Sequence, residues 1–584
     1  MPRKRTPRSA GASDQIPAPR RANERTTMRH FQTSRTTTES PPALWSQKTQ
    51  RPSGLPTRKL ASPEISSSRR RAKRARFVAE AFIGPSCRPP HGVTGGASRV
   101  RSSVHPHGRA TTRNRYTAVM AGNEAAQLVA ERRQRAVARW NLDRGVVLVP
   151  AGLMLPIAGT DQFHEYHAHP EHRYLSGAGQ AGGVLAFDAS EGWTLFVPQP
   201  EAAERVWTGD GPSLAAVAEA SGLEQVRPTS DLGGWLEKRR GEPVAVIGNE
   251  DVTLRAAEYG VESWASLEFA TDEEESERLR AVVAELRRAK DPGELALMRE
   301  AAAATHPGHM AGIRKARAGM SERALQIEIE VEFFRAGAER TAYGSIVGGG
   351  PNAAILHFEP TAREFGEGEL ILVDAGAEVG GYASDVTRTY PVGARFEGIQ
   401  RDLYSLVLGV QENAIAGVRP GVEYMDLHLA ASVETARGLV DLGLLRGDAE
   451  GLVERDAQAL FFPHGLGHML GLATHDAGGC LEGRLPSERP TLRYLRADLP
   501  LQPGYVVTIE PGIYFIRALL EDPDLRERYR DDVAWERVDG MLDFGGIRIE
   551  DDVLVTEERA EVLSAATPKA LDAIEALRAE GLRA

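Results

Sequence analysis

The chain has 584 residues, of which 41% are hydrophobic and 26% are charged, and this length allows two or three globular domains. No run approaches the roughly 20 consecutive apolar residues that a membrane-spanning helix requires, which excludes an integral membrane protein. The only cysteines, Cys87 and Cys480, exclude a disulfide framework and favour the reducing cytoplasm.

The net charge of -10 hides an asymmetry along the chain. Residues 1–119 carry about 25 Lys and Arg against about 5 acids, which leaves a net charge near -30 on the remainder. Because this segment has no periodic apolar stripe, it predicts a disordered basic tail. Two interpretations stay open: a misassigned or idle start upstream of Met120, which we favour, and an arm that binds nucleic acid through its charge. We therefore expect no nucleic-acid partner.

Residues 120–285 predict an α/β domain, because strand-like runs alternate with helix-like runs. The strand-like runs are GVVLVPAG, GGVLAFD, TLFVP and PVAVIG, and PSLAAVAEASGL is typical of a helix. The stretch DQFHEYHAHPEH precedes a strand expected at YLSG and groups His164, His167, His169 and His172. These histidines allow either a secondary metal site or a polar, exposed edge.

A charged segment, DEEESERLRAVVAELRRAKDPGELALMREAAAA, predicts two helices that join this domain to the next. Its apolar residues recur at helical spacing, and Asp291-Pro292 marks the end of one helix and the start of another. Further along, His306 and His309 flank a Pro-Gly pair, which predicts a helix break.

Residues 286–565 predict an α+β domain, and residues 566–584 predict a C-terminal helix or tail. Helical patterns such as ALQIEIEVEFFRAG come first, and the strand-like runs LILVDAG, ASDVTRTYPV, YVVTIEPGIYF and GGIRIEDDVLVT follow. The glycine-rich stretch VGGGPNAAILHF lacks the Gly-Lys-Ser/Thr ending of a phosphate-binding loop, so no phosphate site is expected there.

Acidic residues stand at the ends of these strand-like runs. Asp374 and Asp385 lie in two runs joined by a turn at Gly380-Gly381, which predicts a hairpin with the two carboxylates side by side. Two buried carboxylates so close repel each other unless a cation lies between them. Glu510 follows the run YVVTI at a transition from strand to turn.

A further strand and a histidine-rich loop add candidate ligands. In FGGIRIEDDVLV, Arg548 and Glu550 share one face of a strand, because the alternating isoleucines occupy the other face. The loop FPHGLGHMLGLATHDAGG carries His464, His468 and His475 among glycines that argue against a helix. Oxygen ligands with a single imidazole suit Mn²⁺ or Co²⁺ at least as well as Zn²⁺, and bridging carboxylates favour two ions. The pattern therefore predicts a metal-dependent hydrolase.

Four segments resemble motifs of the pita-bread metallopeptidases, in the proline-specific branch that holds Xaa-Pro dipeptidase (prolidase) and Xaa-Pro aminopeptidase: LVDAGAEVGGYASDVTRTYPV, PHGLGHMLGLATHDAGG, LQPGYVVTIEPGIYF and FGGIRIEDDVLVT. EHRYLSGAGQAGGVLAFD is similar to the aminopeptidase P N-terminal domain, so the resemblance covers about residues 120–565. It implies an α/β N-terminal domain followed by an α+β pita-bread (creatinase/aminopeptidase-like) catalytic domain. It also implies a homo-oligomer, either a dimer or a tetramer.

The resemblance implies roles for individual residues as well. Two divalent metal ions, first of all Mn²⁺ with Co²⁺ or Zn²⁺ as alternatives, would be held by Asp374, Asp385, His468, Glu510 and Glu550. His464 and His475 would polarise the scissile carbonyl and stabilise the tetrahedral intermediate. Glu510 would carry a proton to the leaving proline nitrogen. His357 would face the substrate, and Arg548 would orient the carboxylates.

The motifs are compatible with two activities of this branch. The segment CLEGRLPSERPTLRYLRADLP resembles the dipeptidases, in which the position of Arg496 binds the free carboxylate of proline. We therefore favour an Xaa-Pro dipeptidase that cleaves dipeptides with a metal-bridging hydroxide. The alternative is an Xaa-Pro aminopeptidase that acts on longer proline-containing peptides, with Arg496 as a surface charge. A non-catalytic binding relative and a creatinase-like amidinohydrolase are further alternatives, against which the intact ligand set argues.

Overall fold

The computed structural model describes residues 122–248, 269–484 and 486–583. The basic tail expected at 1–119, the start expected at Met120 and Cys87 lie outside these residues. Within the described part of the chain, no helix is both long and apolar enough to span a membrane.

The N-terminal part of the described chain is built on a five-stranded mixed sheet. Its strands are β1 (Val146–Pro150), β2 (Val184–Asp188), β3 (Gly192–Val197), β4 (Val226–Pro228) and β5 (Val244–Val246). They lie in the order β4-β3-β2-β1-β5, with β1 antiparallel to β2 and parallel to β5. The strands expected from the four apolar runs are confirmed, and β4 adds an edge.

Helices cover both faces of this sheet. They are α1 (Gly122–Trp140), α2 (Pro170–Ser176), α3 (Arg205–Thr208), α4 (Leu214–Ser221), α5 (Leu232–Glu237) and α6 (Glu273–Leu286). Val147 lies in a buried cluster with Trp140 of α1. Its neighbour Leu148 points to the opposite face, in a second cluster with Trp235 of α5. Burial on both faces explains why the strands are apolar at consecutive positions.

The C-terminal part begins with the packed helix pair α7 (Pro292–Lys315) and α8 (Glu322–Arg335). Asp291 caps α7, because its side chain accepts a hydrogen bond from the backbone N–H of Glu294. The Glu294 side chain in turn accepts one from the backbone N–H of Asp291. The helix start predicted at Asp291-Pro292 is confirmed.

The helix break predicted between His306 and His309 is wrong. Helix α7 continues through its internal Pro307, although proline removes one backbone hydrogen bond. Gly308 lies so close to the ring of Phe333 on α8 that a Cβ there would be 2.2 Å from a ring carbon. The Pro-Gly pair therefore serves close packing between two helices, and these tertiary contacts keep the helix continuous.

Further helices follow α8. They are α9 (Ile399–Gly417), α10 (Tyr424–Asp441), α11 (Ala449–Glu454), α12 (Arg517–Leu520), α13 (Pro523–Arg528), α14 (Trp535–Asp539) and α15 (Leu571–Gly581). Helix α15 lies in the segment 566–584, where a helix or tail is expected. It packs on α7, and its Ile574 is buried in the main hydrophobic core, so this helix is part of the C-terminal domain.

The described strands of this part form small separate sheets. They are β6 (Arg340–Thr341), β7 (Ile346–Gly349), β8 (Leu370–Asp374), β9 (Ala377–Val379), β10 (Tyr382–Ala383), β11 (Thr387–Pro391), β12 (Val506–Ile509), β13 (Gly512–Tyr514), β14 (Gly546–Arg548), β15 (Asp551–Val555) and β16 (Ala560–Val562). The strand orders are β10-β9-β6, β11-β8-β7, β12-β15-β16 and β13-β14. The turn between β9 and β10 is the predicted Gly380-Gly381 pair, whose φ angles of 59° and 84° suit glycine.

Candidate active site

Two acidic residues meet where β8 ends and β11 begins. The two strands pair antiparallel with Asp374 opposite Thr387, and Asp385 lies just before β11. The hydroxyl of Tyr343 lies 2.6 Å from Asp374 Oδ1 and 2.5 Å from Asp385 Oδ1. The structure therefore places the two carboxylates side by side, as the hairpin pattern predicts.

Asp385 also belongs to a buried cluster of metal-binding side chains. Asp385, His468 and Glu550 each offer one ligand atom, and these atoms lie within 4.8 Å of one another. His468 Nε2 is 3.5 Å from Asp385 Oδ2 and 3.7 Å from Glu510 Oε1. The other ring nitrogen, Nδ1, lies 3.0 Å from the carbonyl oxygen of Met469. Because a carbonyl only accepts, Nδ1 carries a proton there and Nε2 faces the acids.

The single strand expected through Arg548 and Glu550 is wrong. β14 ends at Arg548 and pairs with β13, whereas β15 begins at Asp551 and pairs with β12. Between them the N–H of Glu550 donates to the carbonyl of Thr387 at 3.1 Å, so the chain changes its partner strand. The two side chains still share a face. The Thr387 hydroxyl accepts from Arg548 Nε at 3.0 Å and donates to Glu550 Oε2 at 2.6 Å.

Arg548 connects the acids to a histidine on the substrate side. Its Nη2 donates to Asp374 Oδ2 at 2.6 Å, and its Nη1 donates to the Tyr514 hydroxyl at 2.7 Å. That hydroxyl lies 3.0 Å from His464 Nε2, while His464 Nδ1 lies 2.8 Å from the carbonyl of Gly465. The tyrosine therefore donates to Nε2, and His464 is held as a neutral ring with its proton on Nδ1.

The electrostatics of the cluster favour bound cations. Burial raises the pKa of Glu550 well above its usual range, and repulsion from Asp385 adds to the shift. Burial also raises the pKa of Asp374 to about 6 and that of Glu510 to about 7. One buried guanidinium and one imidazole thus face four carboxyl groups: Asp374, Asp385, Glu510 and Glu550. This oxygen-rich donor set with a single imidazole fits divalent cations, which would remove the repulsion.

We expect the affinity for Mn²⁺ to increase as the pH rises from about 5 to about 8. The carboxyl groups of Asp374 and Glu510, with pKa values raised to about 6 and about 7, must lose their protons to bind a cation. At these two groups the folded, metal-free protein binds more protons than the unfolded chain in this range, so their contribution to its stability falls as the pH rises. Calorimetric titration with MnCl₂ at several pH values measures this trend in affinity. An affinity that does not depend on pH would contradict the prediction.

The remaining predicted residues lie around this centre, towards solvent. The ring of His475 lies 4.5 Å from that of His468, and its Nε2 is 2.8 Å from Arg496 Nη1. Partial burial, together with the charges of His468 and Arg496, lowers the pKa of His475 to about 4. Burial lowers the pKa of His357 too, with contributions from the charges of Arg496 and Arg548. The structure therefore places His475 and Arg496 beside the cluster, and the charges of Arg496 and Arg548 act on His357.

Sequence reasoning missed several side chains that hold the predicted ligands. The hydroxyls of Tyr343, Thr387 and Tyr514 contact the acids or Arg548. Tyr343 lies between β6 and β7 in a segment without apolar alternation, so no local pattern marks it. Thr387 could have been predicted from the sequence. It follows Asp385 by two residues, at the start of β11, and therefore faces the same cluster.

The histidine stretch near residue 164 does not form the secondary metal site that the sequence allows. His169 Nδ1 and His172 Nδ1 lie 3.1 Å and 2.8 Å from two backbone carbonyls of β1, so these imidazoles bind the C-terminal end of this internal strand. His164 and His167 are exposed, and no cluster of three metal-binding side chains occurs there among the described residues. The strand expected at YLSG is also wrong, because these residues end helix α2 and its cap.

Comparison with known proteins agrees with this geometry. Residues 296–557 match the family model of metallopeptidase family M24, and residues 129–244 match that of the aminopeptidase P N-terminal domain. The chain therefore belongs to the M24 metallopeptidases, and the predicted pita-bread catalytic domain with its α/β N-terminal domain is confirmed.

Individual relatives indicate which group of the M24 metallopeptidases this chain is similar to. A probable Xaa-Pro aminopeptidase PEPP of Fusarium vanettenii is 33% identical over 71% of this chain and 87% of its own length. A probable Xaa-Pro aminopeptidase pepP of Aspergillus fumigatus is 31% identical over 79% of this chain and 98% of its own. Aminopeptidase P from E. coli with the inhibitor Pro-Leu superposes with a TM-score of 0.64 at 30% identity, over 79% of this chain and 99% of that one. The protein is an Xaa-Pro metallopeptidase, and Asp385, His468 and Glu550 form its metal-binding site.

Proposed function

We propose that the protein is an Xaa-Pro aminopeptidase, which removes the first residue of peptides that carry proline in the second position. We thus prefer the alternative drawn from the sequence to the dipeptidase. This preference is supported by relatives that are named Xaa-Pro aminopeptidases and that match this chain over 87% and 98% of their own length. The observation that supports the chemistry best is the buried cluster of Asp385, His468 and Glu550. Asp374 and Glu510 complete the proposed ligand set beside it.

The arrangement of side chains supports a division of roles. When bound, two divalent ions, which we propose to be Mn²⁺, supply Lewis-acid polarisation and an activated water. Glu510, whose Oε1 lies 3.7 Å from His468 Nε2 at the edge of the cluster, is placed to take up a proton and deliver it to the proline nitrogen. His475 stays a neutral ring near pH 7, because its pKa is lowered to about 4. Since Arg496 can only donate to its Nε2, the ring carries its proton on Nδ1, which can donate to a developing oxyanion.

A second candidate activity, the Xaa-Pro dipeptidase, is favoured by one observation. Arg496 lies at the solvent side of the site with its Nη1 only 2.8 Å from His475 Nε2. A guanidinium there can bind the carboxylate of a C-terminal proline. In a longer peptide this carboxylate is replaced by an amide, which gains much less from the positive charge.

Cleavage of Ala-Pro-Ala and Ala-Pro by Mn²⁺-loaded protein separates the two activities. We expect cleavage of Ala-Pro-Ala, and no cleavage by His468→Ala. We also expect Arg496→Met to change the KM for Ala-Pro-Ala less than about threefold, since a charge-assisted contact worth roughly 1.5–3 kcal/mol would raise it more than tenfold. Cleavage of Ala-Pro alone, with a KM that rises in Arg496→Met, would establish the dipeptidase instead. No Mn²⁺-dependent cleavage of either peptide would contradict the peptidase proposal.

The homo-oligomeric state stays a prediction of the family resemblance, and the cytoplasmic location stays a prediction of the cysteine content. They enter the proposal as a dimer or tetramer that acts on small peptides in the cytoplasm.

A further inference from the structure

A buried network of charges lies directly behind the loop that carries His475. Asp476 Oδ2 accepts a hydrogen bond from Lys290 Nζ at 2.9 Å, and Asp476 Oδ1 accepts one from Arg287 Nη2. The three side chains are no more than 2% exposed. Arg287 Nη1 also donates to Glu171 Oε1 at 2.6 Å. None of these four residues is a predicted metal ligand or substrate contact.

The network joins the two domains at the active site. Glu171 belongs to α2 of the N-terminal domain, and Arg287 and Lys290 belong to the linker, residues 287–291, between α6 and α7. Arg288 of the same linker donates to the backbone carbonyls of residues 478 and 480 at 2.7 Å and 2.9 Å. The linker therefore holds residues 476–480, the segment that follows His475, through three cationic side chains.

The backbone next to His468, at the other end of the loop that carries His475, is attached to the same network. The N–H of Asp476 donates to the carbonyl of Met469 at 2.9 Å, and Met469 follows His468. A Cβ on Gly471 would lie 2.3 Å from Asp476 Oδ2 and 2.8 Å from Lys290 Cε, so only glycine allows the loop to approach the network this closely. Asp476 thus fixes the backbone on both sides of the loop between the two histidines.

We propose that Asp476 is a positioning residue for His475 and that the N-terminal domain, through Glu171 and Arg287, helps to set the placement of this imidazole. The inference rests on the proposed function, because His475 acts on a substrate only in that reaction. The ring of His475 contacts Arg496 and His468, and the backbone from which this ring projects is the one that Asp476 anchors.

The chemistry of the network suits positioning better than stabilisation. The attraction within a buried ion pair is largely offset by the cost of removing its charges from water, so it is a weak source of stability. Its hydrogen bonds are directional, however, and hold the loop in one arrangement. A displacement of about 1 Å in a catalytic group costs up to about 10²-fold in rate.

The test compares Asp476→Asn with Asp188→Asn in the full-length, Mn²⁺-loaded protein. Asp188 is a matched control, because it forms a buried pair with Arg239 at 2.5 Å, 11% exposed, in the N-terminal sheet. We expect kcat for Ala-Pro-Ala to fall about 10- to 100-fold in Asp476→Asn with less than about a threefold change in KM, and to stay unchanged in Asp188→Asn. Bound Mn²⁺ should be equal in the two variants.

A second readout does not depend on activity. In metal-free protein with ¹³C-labelled histidine, the Cε1–H signal of His475, assigned with His475→Ala, should move in Asp476→Asn and not in Asp188→Asn. If Asp476→Asn does not fold, Glu171→Gln replaces it, since the Glu171 side chain is 17% exposed and its loss leaves Asp476 paired. The expected fall in kcat is then about three- to tenfold, as a smaller displacement of the same ring.

Two outcomes would overturn the inference: a kcat in the variant within about twofold of the wild type, or an unmoved His475 signal. An equal fall in Asp188→Asn would do the same, because it would mean that any lost buried pair lowers kcat. If the wild-type protein cleaves no Xaa-Pro peptide, the proposed function fails, and the signal of His475 still decides whether Asp476 positions this ring.

Discussion

Glu550→Gln is expected to abolish Mn²⁺-dependent cleavage, with a fall in kcat of at least about 10³-fold, or about 4 kcal/mol of transition-state stabilisation. Glutamine keeps the shape of the side chain and can still accept the hydrogen bond from Thr387. It lacks the negative charge that a metal ligand at this position supplies. The expected effect is large because Glu550 lies in the one cluster of metal-binding side chains found among the described residues.

The same substitution should have the opposite effect on the metal-free protein. Burial and the neighbouring acids raise the pKa of Glu550, so its charged form is unfavourable in the folded state at pH 8. The sign follows from proton linkage: a carboxyl group with a raised pKa lowers the stability of the folded state as the pH rises. Glu550→Gln removes this cost, and its Tm in EDTA should equal or exceed that of the wild type.

Elemental analysis of bound manganese, Tm with and without Mn²⁺, and kcat on Ala-Pro-Ala measure these effects together. Glu488→Gln is the control, because the Glu488 side chain is 92% exposed. A Glu550→Gln variant whose Tm still rises with Mn²⁺ as in the wild type would show that Glu550 is not a ligand.

Arg548→Met is expected to destabilise the metal-free protein by about 3–5 kcal/mol, the usual cost of leaving a buried charge without its partner. Arg548 is 4% exposed, and it is the arginine that donates to Asp374, at 2.6 Å. Without it the pKa of Asp374, already raised to about 6, should rise further. The variant then binds an extra proton when folded, so its loss of stability should be larger at pH 8 than at pH 5.

Urea denaturation in EDTA at the two pH values measures this difference. Arg335→Met serves as the control, since the Arg335 side chain is 66% exposed. Saturating Mn²⁺ should restore part of the lost stability, because a cation beside Asp374 compensates its charge. A destabilisation below about 1 kcal/mol at pH 8 would mean that the arginine is not needed to balance the acids.

The sequence by itself was sufficient to predict the strands, helix starts and turns that depend on residues close together in the chain. The runs VVLVP, LILVD and VVTI became β1, β8 and β12, because residues buried on both faces of a sheet are apolar at consecutive positions. The capped start of α7 was predicted from the dipeptide Asp291-Pro292. The turn at Gly380-Gly381 brought Asp374 and Asp385 together, since its two glycines permit a tight hairpin. The family motifs then supplied the metal ligands.

Only the tertiary structure decided the features that depend on distant partners. Helix α7 continues past Pro307 because α8 packs against it, and the chain at Glu550 leaves one strand partner for another because Thr387 takes its N–H. Arg287 and Asp476 are 189 residues apart, so no local pattern relates them. A buried charge is tolerated only when an oppositely charged or hydrogen-bonding group lies beside it. For Arg287 and Asp476, the packing of the two domains determines which group this is, and the neighbouring residues in the sequence do not.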